Sequence, residues 1–298
     1  MSIPPKKPSR PFSRDGKKPF GKPSPGKPKF GKPSFPGRDY VKPEGEPAST
    51  LLGDKPRGSG HLPHADNDLI HGIHAVAAAL ANVKRTPVHL WATENGLARL
   101  KEDLPDAVLK AEIVHPRIID HILAGQDAVH QGVLLEAKPL KQPRLDQIAR
   151  DGLIVILDQV TDPHNVGAIL RSCSAFNVTA LVTTARHAPH ETGVFFKAAS
   201  GATEHVPVVR VTNLGRALEE LKSYGFAILG LDSEAPITIS EANRQRPLAV
   251  VLGAEGKGLR QKTRELCDHV ARLEMPGAIK SLNVSIATAI TLYALTSP

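Results

Sequence analysis

The sequence predicts an α/β protein built on a parallel sheet with helices on both faces. Leu153-Ile154-Val155-Ile156-Leu157 and Leu248-Ala249-Val250-Val251-Leu252 are continuous apolar runs rather than alternating ones, as strands buried on both faces require. From residue 152 onward such runs alternate with segments of helical period, the signature of strand–helix–strand units.

The chain begins differently. Residues 1–66 hold 14 of the 26 prolines and 9 of the 24 glycines, with almost no aliphatic side chains. Such a segment buries too little surface to offset the entropy of ordering, and it reads as a disordered arm. Its 14 basic against 6 acidic residues give +8, the net charge of the whole 298-residue chain. The high pI therefore belongs to the arm, and the remaining residues are formally neutral. Gly21-Lys22-Pro23 recurs at residues 26–28 and 31–33, with Phe20, Phe30 and Phe35 interleaved. A basic, extended, aromatic-dotted arm suits loose contact with phosphates and unstacked bases, and it equally suits a solubilising tail. The proline density excludes a helical transit peptide. No apolar run is long enough for a membrane span, so the expected location is cytoplasmic.

A small α/β domain is expected over residues 67–140. Its elements are a helix at 70–80 with apolar residues at Ile73, Val76, Ala77 and Leu80, a strand at 88–93, and a helix at 95–104 capped by Asn95. A strand at 111–114, a helix at 117–123 and a strand at 132–137 complete it. Prolines and charges mark residues 141–151 as a linker. The second domain, 152–298, should run strand 153–158, helix 165–176, strand 179–184, helix 192–200, strand 206–211, helix 213–224 and strand 226–231. It continues with strand 248–252, helix 258–267, strand 269–273 and helix 281–295.

Three segments of this second domain place glycines or polar residues where strands hand over to helices, the usual ligand position in such sheets. In Asp162-Pro-His-Asn-Val-Gly-Ala-Ile-Leu-Arg171, Asn165 is the expected helix cap. Arg171 lies off the buried stripe with Gly167 and Ser174 nearby, free to meet a phosphate or carboxylate. In Leu252-Gly-Ala-Glu-Gly-Lys-Gly-Leu259, glycines at 253, 256 and 258 permit close backbone approach, and Glu255 is a carboxylate at a strand-to-helix turn. The glycine spacing differs from the dinucleotide fingerprint, which argues against a nicotinamide-dependent dehydrogenase. In Ser281-Leu-Asn-Val-Ser-Ile-Ala-Thr288, Ser281, Asn283 and Ser285 enter a helix whose free N–H groups make a polar site. Taken singly, a cap, a tight turn and a surface arginine would explain each segment.

Together, Asn165 with Arg171, Gly253-Ala254-Glu255-Gly256 and Ser281-Leu282-Asn283 resemble the SpoU/TrmH family of S-adenosylmethionine-dependent RNA 2′-O-ribose methyltransferases. The resemblance covers residues 152–296. Ile70-His-Gly-Ile-His-Ala-Val76 and His130-Gln-Gly-Val133 resemble the ribosomal-protein-L30e-like substrate-binding domain of a branch that methylates a guanosine in 23S ribosomal RNA. What the resemblance implies is a trefoil-knotted (SPOUT) parallel-sheet domain, a homodimer with the active site at its interface, and S-adenosylmethionine as cosubstrate without a metal. It implies a cofactor grip by Gly253, Leu273 and Leu282 with Leu252 and Met275 beside them, and catalytic roles for Arg171, Asn165, Glu255, Ser281 and Asn283. Family proposals make the counterpart of Arg171 the general base. Arginine is effectively always protonated, so stabilising the developing alkoxide is the alternative role. A transfer-RNA target, or a catalytically silent rRNA-binding protein that keeps the fold, are the competing readings.

His61-x-x-His64 and His71-x-x-His74 have metal-like spacing but no acidic or cysteine partner to complete a site. Cys173 and Cys267 form no C-x-x-C pair and read as small buried residues.

Overall fold

The structure, a computed structural model, describes residues 60–105, 110–123, 129–188, 192–242, 244–254, 256 and 258–297. Most of the arm expected over residues 1–66 lies outside them. The arm's last residues are described and are tied down. The Glu136 carboxylate, fully buried, accepts from the His64 backbone N–H at 2.8 Å and from Asn67 Nδ2 at 2.6 Å, and pairs with His61 Nε2 at 2.5 Å. Burial pushes this carboxyl upward, but the Asn67, His64 and His61 contacts outweigh it and hold it below the usual glutamate value. A lowered folded pKa contributes stability above the unfolded value and loses it as pH falls through the folded one. Limited proteolysis should therefore find residues 60–67 protected at neutral pH and cleavable in acid. Glu136→Gln should be cleavable there already at neutral pH.

The first sheet contains β1 (Asp68–His71), β2 (Pro87–Ala92), β3 (Glu112–Ile113) and β4 (Val133–Ala137) in the order β1-β4-β2-β3. Helices α1 (Ile73–Ala81), α2 (Glu94–Asp103) and α3 (Pro116–Ile122) connect them. Two expectations are corrected here. Residues 68–71 form a strand paired with β4, so the first helix starts at Ile73 rather than residue 70. Gly72, at φ +91°, makes the turn between strand and helix, a conformation that L side chains avoid. The cap of α2 is Thr93, whose hydroxyl accepts from the Gly96 N–H at 3.0 Å, not Asn95.

The second sheet has seven parallel strands: β5 (Leu153–Asp158), β6 (Ala180–Thr184), β7 (Val208–Val211), β8 (Ala227–Leu231), β9 (Ile237–Thr238), β10 (Leu248–Gly253) and β11 (His269–Arg272). Their order is β7-β6-β5-β10-β8-β11-β9, so β10 enters between β5 and β8. Helices α4 (Pro163–Ala175), α5 (Gly193–Ala199), α6 (Leu214–Ser223), α7 (Gln261–Leu266) and α8 (Val284–Thr296) accompany the strands. The two-residue β9 had no counterpart in the sequence reading. Alternate residues of the central strands serve opposite faces, as a period of two demands. Leu153, Val155 and Leu157 join Ile169, Leu170, Phe196 and Leu292 in one cluster, whereas Ile154 and Ile156 join Leu214, Leu218 and Leu221 in another.

The first of these clusters runs on into the first sheet and its helix through Ile73 and Val76 of α1 and Leu90 of β2. At the same junction Gly201, at φ +89°, leaves so little room that an added Cβ would lie 2.7 Å from Ala78 Cβ. Beside it Arg85, 1 % exposed as a side chain, bonds Asp68 Oδ2 at 2.6 Å and Glu204 Oε1 at 2.6 Å. The two sheets are thus joined by shared apolar packing and a buried charge network.

Candidate active site

Asp158, at the carboxyl end of β5, is buried and accepts from both the backbone N–H and Nε of Arg260, at 3.2 and 2.7 Å. The chain then enters α4, where the expected cap is corrected. Asp162, not Asn165, is the N-cap; its carboxylate accepts from the His164 and Asn165 N–H groups, with Pro163 at the first helical position. That arrangement frees the Asn165 side chain. Its Oδ1 accepts a hydrogen bond at 3.1 Å from Nδ2 of Asn283, 118 residues away.

Asn283 is in turn the N-cap of α8. Its Oδ1 accepts from the backbone N–H and hydroxyl of Ser285 at 2.9 and 2.6 Å. Ser281 lies two residues before that cap, exposed, rather than in the first helical turn. Glu255 and Lys257 lie outside the described residues.

Two cavities are lined by neighbours of these residues, one by His164 and Ser285 and the other by Leu282 and Val284. The smaller, about 240 Å³, lies where β8, β10 and β11 end, and it brings together Leu252, Gly253, Leu273, Met275, Ser281 and Leu282. All five residues expected to grip a cofactor therefore share one cavity. The sequence reading missed Asp232, Ser233 and Lys280, which also line it. Asp232 is held by Arg264 Nη1 at 2.5 Å, and Lys280 Nζ donates to the Met275 carbonyl at 2.7 Å. The apolar walls suit a ring system, and the carboxylate and hydroxyls around them suit a ribose, the mixture that binds nucleosides.

Gly253 has a different reason to be glycine from the one expected. An added Cβ would lie 2.1 Å from the Gly258 carbonyl, so the absent side chain makes room for the chain's own turn. That turn closes through the Gly258 N–H donating to the Ala254 carbonyl at 3.0 Å. Gly167 is likewise reassigned: an added Cβ would meet the Phe195 carbonyl at 2.7 Å, so it sets the approach of α4 to α5. Ala168 and Ser172 line the same cavity as Arg171.

The larger cavity, about 620 Å³, is lined by Arg171, His164, Ser172, Lys197 and Ser285 with His71 of β1. Arg171 is exposed and makes no ion pair or side-chain hydrogen bond among the described residues. His71 is buried, and burial above all, followed by the neighbouring Lys197 and His130, lowers its pKa to about 4, against a smaller raising effect of a hydrogen bond with the Gly193 backbone. The imidazole is therefore neutral at physiological pH. Burial raises both thiols, Cys173 well above its usual value and Cys267 to about 12, so neither is a nucleophile. Among the described residues, no group of three or more His, Cys, Asp or Glu side chains is placed to hold a metal ion.

The family model described as the SpoU rRNA methylase family matches residues 152–293, and one described as RNA 2′-O ribose methyltransferase substrate binding matches residues 69–143. The 23S rRNA (guanosine-2′-O-)-methyltransferase RlmB of Photobacterium profundum is 39 % identical over 237 residues, covering 76 % of this chain and 96 % of that protein. The protein of the same name from Pseudomonas putida is 38 % identical over 232 residues, covering 75 % and 94 %. Among solved structures, the SpoU methyltransferase AviRb from Streptomyces viridochromogenes, in complex with AdoMet, superposes with a TM-score of 0.65 at 23 % identity, covering 78 % of this chain and 90 % of that one. That likeness shows a shared fold.

Proposed function

This chain belongs to the SpoU rRNA methylase family, and from that membership we propose that it transfers a methyl group from S-adenosylmethionine to a ribose 2′-hydroxyl of a guanosine in 23S ribosomal RNA. The observation that carries the reading is the Asn165–Asn283 bond, which unites segments 118 residues apart whose neighbouring residues line a nucleoside-like cavity and a cationic one. When bound, S-adenosylmethionine supplies the electrophilic methyl group. The chain's own work is to hold and align. The turn at Gly253, with Leu252, Leu273, Met275 and Leu282, would seat the cofactor, with Asp232 and Ser281 as the polar groups of the same lining. Asn283 and Asn165 brace the entry of α8 against α4, fixing the position of Arg171 on α4 relative to the cofactor cavity. The Arg171 cation then meets the charge that develops on the ribose oxygen as the hydroxyl proton leaves to another group or to water. Glu255, from the same motif as Gly253, lies outside the described residues, and orienting Arg171 or a ribose hydroxyl would be its role in this proposal.

The trefoil knot, the homodimer and a cytoplasmic location are part of the same proposal. Ile286, Ile290 and Tyr293 stand exposed at one-turn spacing on α8, Tyr293 at 64 %, which suits a contact with a second copy. No helix among the described residues is long and apolar enough to cross a membrane.

Labelled methyl transfer to unmodified 23S rRNA and to tRNA, with mapping of the modified ribose, tests the reading. Label on one 23S guanosine 2′-oxygen is expected. Label on tRNA alone would overturn the substrate, and label on neither would overturn the activity. Within the cofactor site, Gly253→Ala must displace the Gly258 turn, so its S-adenosylmethionine affinity should fall by about tenfold or more in calorimetry. Unchanged affinity would remove the turn from the cofactor grip.

A further inference from the structure

We propose that the groove across the carboxyl ends of β6 and β7, between the first turns of α6 and α7, holds the phosphodiester backbone of the RNA substrate on its way to the active site. The proposal rests on the methyl-transfer reading above and extends it from the reacting ribose to the strand that carries it. Its first support is charge. The groove, about 730 Å³, is bordered by Arg186, Arg216, Arg260 and Lys262 against one carboxylate, Glu219. All five are exposed, and the excess stands in a folded body that is formally neutral. Arg186, Arg216 and Lys262 make no ion pair among the described residues. A cleft lined by one sign of charge concentrates the opposite sign from solution, and here that is an anion.

The second support is that the cations are presented by separately anchored turns. Arg186 follows β6 in a turn closed by the His187 and Ala188 N–H groups, which donate to the Thr184 carbonyl at 3.0 and 2.8 Å. A 2.9 Å bond between the Thr184 hydroxyl and His187 Nδ1 ties the same turn. Arg216 sits in the first turn of α6, where its N–H donates to the side chain of the cap, Asn213, at 3.2 Å. Arg260 Nε is taken by the buried Asp158 carboxylate, which leaves the outer nitrogens of a side chain 45 % exposed for a second acceptor. Lys262 follows on α7. Thr184, Thr212 and Gln261 add polar walls, and no Phe, Tyr or Trp lines the groove. Cations and hydroxyls without a stacking surface suit phosphates rather than bases.

The third support is position. Leu214, Leu218 and Leu221 of α6 pack with Ile154 and Ile156 on one face of the second sheet, whereas α4 and α8 pack with Leu153, Val155 and Leu157 on the other. The groove therefore lies on the side away from Ile286, Ile290 and Tyr293, the residues assigned above to a second copy. Arg260 connects it to the reaction. It stands two residues after Gly258 of the proposed cofactor turn, and its partner Asp158 ends β5 just before the Asp162 cap of α4. RNA held in the groove lies along the same sheet edge from which α4 and the Gly253 turn emerge.

The test compares full chains that differ only in surface charge, so the basic arm is common to all. One variant combines Arg186→Gln, Arg216→Gln and Lys262→Gln; Arg260 stays because it pairs with buried Asp158. A control combines Arg144→Gln, Arg150→Gln and Lys222→Gln, which removes equal charge at the end of the sheet where the strands begin. Anisotropy across a salt series follows binding of a mixed-sequence single-stranded oligoribonucleotide, a readout independent of methyl transfer. The slope of log K against log salt should be shallower by about 2–3 in the groove variant, close to one counterion per cation removed, and unchanged in the control. The KM for unmodified 23S rRNA should rise about 10- to 100-fold, with kcat at saturating RNA and the Kd for S-adenosylmethionine unchanged. An equal loss in the control or a raised cofactor Kd would overturn the proposal. An unchanged slope would also overturn it and leave the groove to an acidic protein surface. The expected slopes in a chain that methylates no RNA would support the groove and refute the assigned activity.

Discussion

Arg85→Ala is expected to lower the unfolding free energy by about 3–5 kcal/mol, the cost of leaving buried charge uncompensated. The guanidinium is 1 % exposed and is shared between two domains. Nη1 serves Asp68 Oδ2 and the Lys138 carbonyl at 2.6 and 3.0 Å, while Nη2 and Nε hold the two oxygens of Glu204 at 2.6 and 3.2 Å. Burial lowers the arginine pKa, but Glu204 and Asp68 together reverse that and raise it above its ordinary value. Alanine would leave the Glu204 side chain, 1 % exposed, with the Asn82 amide at 2.7 Å and the Thr203 hydroxyl at 3.2 Å but no cation. Urea denaturation measures the loss. A variant that also carries Asp68→Asn and Glu204→Gln should recover a large part of it, because neutral groups cost less to bury than unpaired charges. If the triple variant is no more stable than Arg85→Ala, the penalty comes from lost packing of the arginine stem rather than from orphaned carboxylates.

How far this organisation could be read in the sequence depends on the range of the interaction. The strands of the second sheet were legible because burial on both faces writes continuous apolar runs, and residues 153–157 and 248–252 lie within β5 and β10. The short β1 was not. Four residues leave no room for a pattern, and Ile70 also fits the helical spacing of Ile73 and Val76. In the sequence His71 stands out only as half of a histidine pair, whereas its place on a strand paired with β4 puts it at a cavity wall formed by helices more than 90 residues away.

The cap of α4 was misread for a local reason. Asp162 followed by Pro163 is a helix start in its own right, but Asn165 drew attention as a cap-forming residue closer to the apolar stripe. Gly167 and Gly253 were recognised as special, but the neighbours that require them, α5 and the Gly258 turn, depend on tertiary approach that no spacing rule reports. Asp232 and Lys280 gave no signal, since neither stands in a motif. Asp232 enters the smaller cavity because β8 ends beside β10 and β11, and Lys280 reaches it from the loop that leads into α8.

Arg171→Ala is expected to reduce kcat for methyl transfer by roughly 100- to 1,000-fold, the usual effect of deleting one group that stabilises developing charge, with the Kd for S-adenosylmethionine unchanged. The separation follows from position. Arg171 lines the larger cavity and is absent from the lining of the smaller one, where the proposed cofactor grip lies. Arg171→Lys should recover little, because a compact ammonium cannot reproduce the planar fork of donors. The proposed homodimer sharpens the test. If Arg171 acts on the cofactor held by the other copy, mixing Arg171→Ala with Gly253→Ala protomers should restore activity, since one of the two composite sites in the mixed dimer carries neither substitution. If each site is built within one chain, the mixture stays as inactive as its parts. A Kd that rises in parallel with the loss of kcat would place Arg171 in cofactor binding and refute its role at the ribose oxygen.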